Sequence, residues 1–374
     1  MIIENFLDKS GWKYIEIDKS FENAQKNLNT FKDDLYNQIF NSKINLDDSH
    51  YDEILKSSLR SVLRYSSYSF DLLKIITKKL NTDLKLNDYY INLPYFLIHL
   101  SSDTNEIGDL HTDIIKECGE SFTSWTSINN YDLKYNALSL YENTHNINDL
   151  LFLKIFSKLK LTKFLKLYFY LTKKNKINIS PERFTSLIWS SNLIHIGNLN
   201  TASKKHIAMT VKISEFPHLY EKSYKISNLS TIDNFTDKIQ IKKLTDYLLE
   251  LDLYLDKNLK NIENLKLLLQ NFTNILQDYP IEYHKAISFS SSIISQRFKL
   301  KLKMNKKSYL YDLISIIFGK ENLISFERIL KFYKTKNEKQ DFLNNLNQFS
   351  NINLLREKQI LERYNISLNN VNIN

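Results

Sequence analysis

The sequence of 374 residues has one cysteine, Cys118, five glycines, four prolines and no long apolar run. A single cysteine excludes an internal disulfide and a zinc site built from several cysteines, and it is typical of a reducing compartment. No apolar stretch reaches the roughly 20 residues that a transmembrane helix needs. The sequence also lacks a G-x-G-x-x-G turn, a Walker loop and a C-x-x-C pair. Nucleotide-binding and zinc-ribbon functions therefore have no support.

The overall composition is that of a globular protein. Hydrophobic residues make up 43% and charged residues 25% of the chain, which is the usual balance for a folded domain. A chain of this length forms one large domain or two ordinary ones with a sizeable core. The N-terminal segment, MIIENFLDKSGWKYIEI, has neither a basic head nor a small-residue cleavage site, so we expect no signal peptide and a cytoplasmic location.

The formal net charge of +9 comes largely from lysine. Such a charge is compatible with nucleic acid, an anionic membrane or a phosphorylated substrate, and it identifies none of them. Lysine, asparagine and isoleucine are abundant, so a biased genome composition is the simpler explanation. We therefore expect no nucleic-acid partner.

The pattern of apolar residues predicts an α+β protein with two domains. A short strand over 12–17 is followed by helical periodicity, and residues 89–213 show short alternating runs that indicate strands. A lysine-studded helical insert interrupts this region at about 147–174. From 221 onward the chain shows long helical patterns without repeats. We predict a β-rich domain over 1–220 and a helical domain over 221–374 that caps the first domain or forms a homo-oligomer.

The insert has two interpretations from sequence alone. Between Lys154 and Lys176, lysines alternate with leucine, phenylalanine and tyrosine. This pattern fits a helix with a buried stripe and a solvated face. It also fits a surface that meets an anionic membrane or a phosphorylated substrate. The first interpretation is the commoner meaning of such a pattern.

The stretch GDLHTDIIKECGESFTSWTSI places His111 and Asp113 one residue apart. In an extended strand such residues point the same way, so both side chains can reach one ion. Two histidines and one carboxylate hold Fe(II) in many oxygen-activating enzymes. His195, in SLIWSSNLIHIG, is predicted to close another strand and to supply the second histidine. Because the chain has eight histidines and many aspartates, a chance H-x-D pair remains an alternative.

A second H-x-D pair, His50 and Asp52, has a different interpretation. Ser49 precedes the pair as a helix cap, and helical periodicity follows it. Residues two apart on a helix do not share a face, so we predict a helix start and no metal site. Apolar strand patterns surround Trp12 and Trp189, which we predict to be core residues.

Five motifs recur in a familiar order: SGWKYIEI, HTD, SWTSI, NALSLYENTHN and HIGNLNTASKKHIAM. With them, residues 6–213 resemble the phytanoyl-CoA dioxygenase-like family of Fe(II)- and 2-oxoglutarate-dependent oxygenases, including its bacterial carbohydrate-cluster branch. The resemblance implies a double-stranded β-helix core of the jelly-roll or cupin-like type. It also implies that His111, Asp113 and His195 bind Fe(II) and that Trp125 lies beside 2-oxoglutarate.

The chain departs from the family pattern after His195. Ser203 lies eight residues later, where the family serine lies seven later. The family arginine that contacts the far carboxylate of 2-oxoglutarate is replaced by His206, which follows Lys205. No other side chain has the planar fork of arginine. By register with the family, His206 is the favoured contact to 2-oxoglutarate and Lys205 the alternative.

The resemblance implies an oxygenase that hydroxylates a small molecule, although desaturation and epimerisation use the same chemistry. By family association alone, the preferred substrate is a sugar or nucleotide-linked sugar of surface-polysaccharide biosynthesis. The alternative is a catalytically inactive oxygenase-fold protein that acts as a scaffold through its helical C-terminal domain. Loss of the arginine favours this alternative, and the intact His111, Asp113 and His195 set argues against it.

Overall fold

The computed structural model describes most of the chain. The described residues are 7, 10–15, 18–40, 49–99, 107–113, 118–128, 138–145, 147–159, 161–179, 186–197, 206–218, 221–232, 235–259, 262–319, 323–349, 358–364 and 366. The chain divides into two compact units. Unit 1 contains Met1–Asp33 and Ser66–Phe235, and unit 2 contains Asp34–Tyr65 and Thr236–Asn374. Unit 2 thus includes a segment, residues 34–65, that the periodicity alone assigned to the first domain.

Unit 1 contains the β structure of the described residues. The strands are β1 Trp12–Ile15, β2 Tyr90–Asn92, β3 Tyr95–His99, β4 Ile107–His111, β5 Ser121–Ser127, β6 Leu138–Tyr141, β7 Lys176–Ile179, β8 Ser186–Ser190, β9 His195–Gly197, β10 His206–Ser214 and β11 Ser223–Lys225. A seven-stranded sheet has the order β1-β8-β5-β10-β2-β11, and β3 also pairs with β10. A four-stranded sheet has the order β4-β9-β6-β7. Every paired strand with a described register is antiparallel.

The two sheets pack face to face around one apolar core. Trp125, Leu187, Trp189 and Ala208 come from the seven-stranded sheet, and Leu138, Leu140 and Ile179 come from the four-stranded sheet. Alternation along β10 explains this arrangement, because successive side chains of a strand point to opposite faces. His206, Ala208, Thr210 and Lys212 therefore share the face that looks toward the second sheet.

The expectation that His195 closes a strand is wrong. The chain from Ser186 first forms β8 and then turns, with the Leu193 N–H donating to the Ser190 carbonyl at 2.8 Å. The turn carries the chain from one sheet to the other, so His195 is the first residue of β9. The polar residues Ser191 and Asn192 form the turn between the two buried segments, and the sequence prediction did not recognise them as a break. Trp12 and Trp189 do lie in the apolar packing, with Trp189 buried and Trp12 partly buried against it.

Helices also belong to unit 1. They are α1 Lys19–Phe40, which continues past the unit boundary, α3 Ser67–Leu84, α4 Ile147–Lys158 and α5 Thr162–Leu171. The lysine-studded insert forms α4 and α5. Leu153, Leu165 and Phe169 of these helices pack against Leu110 and Ile194 on the outer face of the four-stranded sheet.

Unit 2 is helical in its described residues. It contains α2 Ser49–Tyr65, α6 Ile241–Asn258, α7 Leu265–Asp278, α8 Ile281–Arg297, α9 Asn305–Phe318, α10 Leu323–Phe332, α11 Lys336–Phe349 and α12 Lys358–Arg363. A buried ionic cluster joins three of these helices at Asp252. Among the helices that the structure describes, none has the length and apolar character to cross a membrane.

Candidate metal centre

His111 and His195 meet at the junction of β4 and β9. His111 is the last residue of β4 and is paired in register with His195, the first residue of β9. Their ring centroids are 4.3 Å apart. The register shifts between Ile107 and His111, and bulges of this kind re-aim side chains beside functional sites. The strand pairing therefore brings together two histidines that are 84 positions apart in the numbering.

Asp113 completes the cluster from just beyond the end of β4. Its Oδ2 atom lies 3.6 Å from the Nε2 atom of His195. One nitrogen or oxygen atom from each of His111, Asp113 and His195 lies within 4.8 Å of the other two. His111 is exposed, Asp113 is partly buried and His195 is buried. The cluster is thus open to solvent on one side.

Two neighbours hold the Asp113 carboxylate. The Thr123 hydroxyl donates to Oδ2 at 2.8 Å, and the Lys212 ammonium lies 3.2 Å from Oδ1. Thr123 and Lys212 are register partners on β5 and β10, so the seven-stranded sheet supplies both contacts. The carboxylate is therefore fixed in position from the opposite sheet.

The protonation states suit metal binding. The Nδ1 atom of His195 lies 3.0 Å from the Leu193 carbonyl, and a carbonyl can only accept. Nδ1 therefore carries the proton in the neutral ring, which leaves the Nε2 lone pair facing Asp113. Burial is the main cause that lowers the pKa of His195 below its usual 6.5. The neutral ring is thus favoured at neutral pH.

Asp113 is ionised at neutral pH. Burial alone would raise its pKa, but the charge of Lys212, the two histidines and the Thr123 hydroxyl lower it well below the usual 3.8. An ionised carboxylate and two imidazoles are the donor set that suits Fe(II), and the set leaves coordination positions for other ligands. The three residues therefore fit a divalent transition metal on one face.

Of the other predicted site residues, the structure places His206 and Trp125 but not Ser203 or Lys205. His206 begins β10, is buried, and has its ring centroid 5.8 Å from that of Trp125. Both rings lie on the inner face of the seven-stranded sheet. Ser203 and Lys205 lie outside the described residues. The second H-x-D pair starts α2 as predicted, and the His50 Nε2 atom lies 3.1 Å from Asp252.

Thr123 and Lys212 were missed by the sequence analysis, and so was the place of Trp189 beside the metal cluster. The Trp189 ring centroid lies 5.2 Å from that of His195. Its buried Nε1–H has no acceptor among the described residues. A period-two pattern from His206 puts Lys212 on the inner face, and that signal was present in the sequence. Nothing in the sequence pairs Lys212 or Thr123 with Asp113 before the register is known.

Replacing Thr123 by valine tests whether its hydroxyl orients a metal ligand. Thr123→Val keeps the shape and the strand preference but removes the hydrogen bond to Asp113. Loss of such an outer contact lowers metal affinity by about 10- to 100-fold, so we expect at least about a tenfold weaker anaerobic Fe(II) affinity by calorimetry. Thr210→Val is the matched control, because the Thr210 hydroxyl donates to the Tyr95 carbonyl. Equal affinities for the two variants would contradict the assignment.

No protein-family profile and no curated protein sequence matches the chain. Solved structures of similar shape include SnoK, a non-heme alpha-ketoglutarate-dependent carbocyclase from nogalamycin biosynthesis. It has 11% identity and a TM-score of 0.39, over 62% of this chain and 90% of that chain. EctD from S. alaskensis with bound Fe has 11% identity and a TM-score of 0.33, over 56% and 74%. The nickel complex of ThoJ, a non-heme monooxygenase, has 6% identity and a TM-score of 0.39, over 64% and 89%.

SnoK is described as non-heme and alpha-ketoglutarate-dependent, ThoJ as a non-heme monooxygenase, and EctD by its bound Fe alone. TM-scores below 0.5 with identities near 10% are too low to assign this chain their fold or activity. The geometry of His111, Asp113 and His195 is therefore the basis on which a function can be inferred.

Proposed function

We propose that unit 1 is an Fe(II)- and 2-oxoglutarate-dependent oxygenase that modifies a small molecule. The observation that carries the proposal is the cluster of two histidines and one ionised aspartate, with ligand atoms within 4.8 Å of one another. This set, with a histidine tautomer fixed by the Leu193 carbonyl, is the donor arrangement that non-heme iron oxygenases use.

The strand order supports a double-stranded β-helix. Eight consecutive strands, β3 to β10, alternate between the two sheets except at β6 and β7, which are neighbours in the four-stranded sheet. An alternating path of this kind winds the chain around the core, as in jelly-roll architectures. It also explains why ligands from β4 and β9 meet at one end of the packed sheets.

His111, Asp113 and His195 would hold the iron, and Thr123 would keep the Asp113 carboxylate in its orientation. When bound, iron with 2-oxoglutarate and dioxygen supplies oxidation of a C–H bond, with succinate and carbon dioxide as coproducts. The protein's part is to place these groups and to limit access of water to the buried side of the cluster. The Trp189 N–H is available to donate to an oxygen of a bound ligand beside His195.

His206 is our proposed contact to the far carboxylate of 2-oxoglutarate, and Lys205 is the alternative. His206 is buried against Trp125 on the inner face. Neither side chain has the bidentate geometry of arginine. We therefore expect weaker binding of 2-oxoglutarate than an arginine would give, and a KM that rises in the variant His206→Gln.

The substrate and the role of the helical unit remain predictions. The preference for a sugar or nucleotide-linked sugar depends on the family resemblance alone. Capping of the site or homo-oligomerisation is our prediction for the helical domain. The scaffold alternative requires that the metal cluster be catalytically inactive. Turnover of 2-oxoglutarate would therefore exclude it.

Turnover of 2-oxoglutarate without a substrate tests the proposed function. The full chain with Fe(II), ascorbate and air should convert 2-oxoglutarate to succinate slowly. His206→Gln should raise the KM for 2-oxoglutarate more than it lowers kcat, whereas Asp113→Ala should abolish succinate formation. If wild type bound Fe(II) but formed no succinate above the Asp113→Ala background, the oxygenase proposal would fail.

A further inference from the structure

Helices α4 and α5 carry a concentration of exposed apolar side chains. Of the 17 large hydrophobic residues exposed among the described residues, nine lie between positions 151 and 171. Tyr170 is 80% exposed and Leu171 is 69% exposed. Exposed apolar patches mark interaction sites in globular proteins. We call this the lysine-rich apolar surface, defined as the outward side of α4 and α5.

The exposed apolar side chains of α4 and α5 are distinct from those that the two helices bury. Leu153, Leu165 and Phe169 already pack against the four-stranded sheet. Leu159, Phe164 and Leu167, on the solvent side, are each more than half exposed. A helix that packed only on the sheet would need one apolar stripe, with polar residues opposite it. The helix pair therefore has a second apolar side, and packing against the four-stranded sheet does not explain it.

The charge of the same segment is uniformly positive. Between Leu150 and Lys176 the sequence has eight lysines and no aspartate or glutamate. Lys154, Lys158 and Lys173 are exposed. Lys174 pairs with Asp149, which lies just before the segment and is buried.

We propose that the lysine-rich apolar surface binds the face of an anionic phospholipid bilayer. Leucine, phenylalanine and tyrosine would enter the boundary between headgroups and acyl chains, as they do in interfacial helices. Lysine stems lie along apolar surface while their ammonium groups reach the phosphates. Both the apolar content and the sign of the charge fit this partner.

A second copy of the chain is a poorer occupant. A two-fold contact would place the same surface on both partners, so lysine-rich segments without acidic residues would face each other. The same lysines would instead be attracted to the anionic headgroups of a bilayer.

Membrane binding would bring the four-stranded sheet close to the bilayer. Leu110, Ile194 and Ile196 point toward α4 and α5, whereas the alternating residues His111 and His195 form the metal cluster. The surface and the cluster thus lie on opposite faces of one sheet. Binding of this surface to a bilayer does not require oxygenase activity, so the two proposals are tested by separate experiments.

Flotation with vesicles tests the proposal on the full chain. Vesicles of phosphatidylcholine with phosphatidylglycerol are compared with pure phosphatidylcholine, at low and high salt. Tyr170→Ser combined with Leu171→Ser removes the two most exposed apolar side chains of the lysine-rich apolar surface. Lys154→Gln combined with Lys158→Gln removes two of its positive charges. The matched controls in unit 2 are Ile281→Ser with Leu300→Ser, which are 81% and 57% exposed, and Lys299→Gln.

We expect wild type to float with anionic vesicles at low salt and at least about tenfold less with neutral ones, because headgroup charge provides much of the attraction. High salt should weaken this binding. The double serine variant in α5 should lose about tenfold in affinity, and the lysine variant should lose affinity for anionic vesicles only. The control variants should bind as wild type does.

Two results would overturn the proposal. The first is a folded wild-type protein that does not float with anionic vesicles at low salt. The second is equal loss of binding in the unit 2 controls, which would show non-specific adsorption. If sedimentation showed a concentration-dependent dimer that Tyr170→Ser with Leu171→Ser abolished, and vesicles did not bind, the surface would be an interface between copies.

Discussion

Asp113→Ala should bind Fe(II) at least about 100-fold more weakly than the wild-type protein, because loss of an outer contact alone costs about 10- to 100-fold and a direct ligand costs more. The substitution removes the one carboxylate of the cluster and leaves only the two imidazoles as ligands. It also leaves Lys212, which sits 3.2 Å from the Asp113 carboxylate, as a positive charge near the metal position. Both changes act against a divalent cation.

Anaerobic calorimetry with Fe(II), or with Co(II) as an air-stable substitute, measures this affinity. His50→Ala is the matched control, because His50 belongs to the other H-x-D pair and contacts Asp252 instead. The control should keep wild-type affinity and a single binding site. If Asp113→Ala bound as tightly as wild type, or His50→Ala lost the site, the assignment of the metal centre would be wrong.

Asp252→Ala should lower the free energy of unfolding by about 3 kcal/mol, since breaking a buried ion pair typically costs about 3–5 kcal/mol. Asp252 on α6 accepts from the Tyr311 hydroxyl at 2.6 Å and from the His50 ring at 3.1 Å. The buried Lys307 ammonium lies 2.9 Å from its Oδ1 atom. Lys307 keeps a second partner in Asp256 at 2.8 Å, which places the expected loss at the low end of the range.

The same residue predicts a pH dependence. Burial alone would raise the pKa of Asp252, but hydrogen bonds from His50, Tyr311 and Lys307 lower it below 3.8. Because the pKa of Asp252 is lower in the folded than in the unfolded chain, its carboxylate stabilises the fold at pH values above the unfolded-state pKa. This stabilisation is lost as the pH falls through the folded-state pKa. The difference between wild type and Asp252→Ala should therefore narrow below about pH 4.

Denaturant unfolding across pH measures both effects. Asp246→Ala is the control on the same helix, since Asp246 is exposed, and it should change stability by no more than about 0.5 kcal/mol. A loss below 1 kcal/mol in Asp252→Ala at neutral pH would show that the cluster contributes little to unit 2.

The sequence pointed to the three residues that the structure brings together in the candidate metal centre, but not to their neighbours. The pair of His111 and Asp113 was identified from its one-residue spacing, whereas His195 was added from its strand pattern and from the family resemblance. Thr123 and Lys212 escaped because their contact with Asp113 depends on how β5 and β10 pair, and pairing between distant strands has no local signal. The turn after β8 was missed for a related reason, since nothing in the sequence shows that β8 and β9 belong to different sheets.

The helical insert is a second case in which the sequence did not decide between two structures. Its periodicity and lysines were evident in the sequence, and both interpretations of the segment followed from them. Only exposure distinguishes a stripe that packs on the four-stranded sheet from a second apolar side that faces outward. Tyr170 and Leu165 have similar neighbours in the sequence, yet the first is 80% exposed and the second fully buried.

The most direct test of the central claim is an anaerobic titration of the purified chain with Fe(II) and then 2-oxoglutarate, followed by visible absorption. We predict a charge-transfer band that saturates at one iron per chain, is absent in Asp113→Ala and is weaker in His206→Gln. A folded wild-type protein that gives no band with excess iron and millimolar 2-oxoglutarate would contradict the claim that unit 1 is an oxygenase.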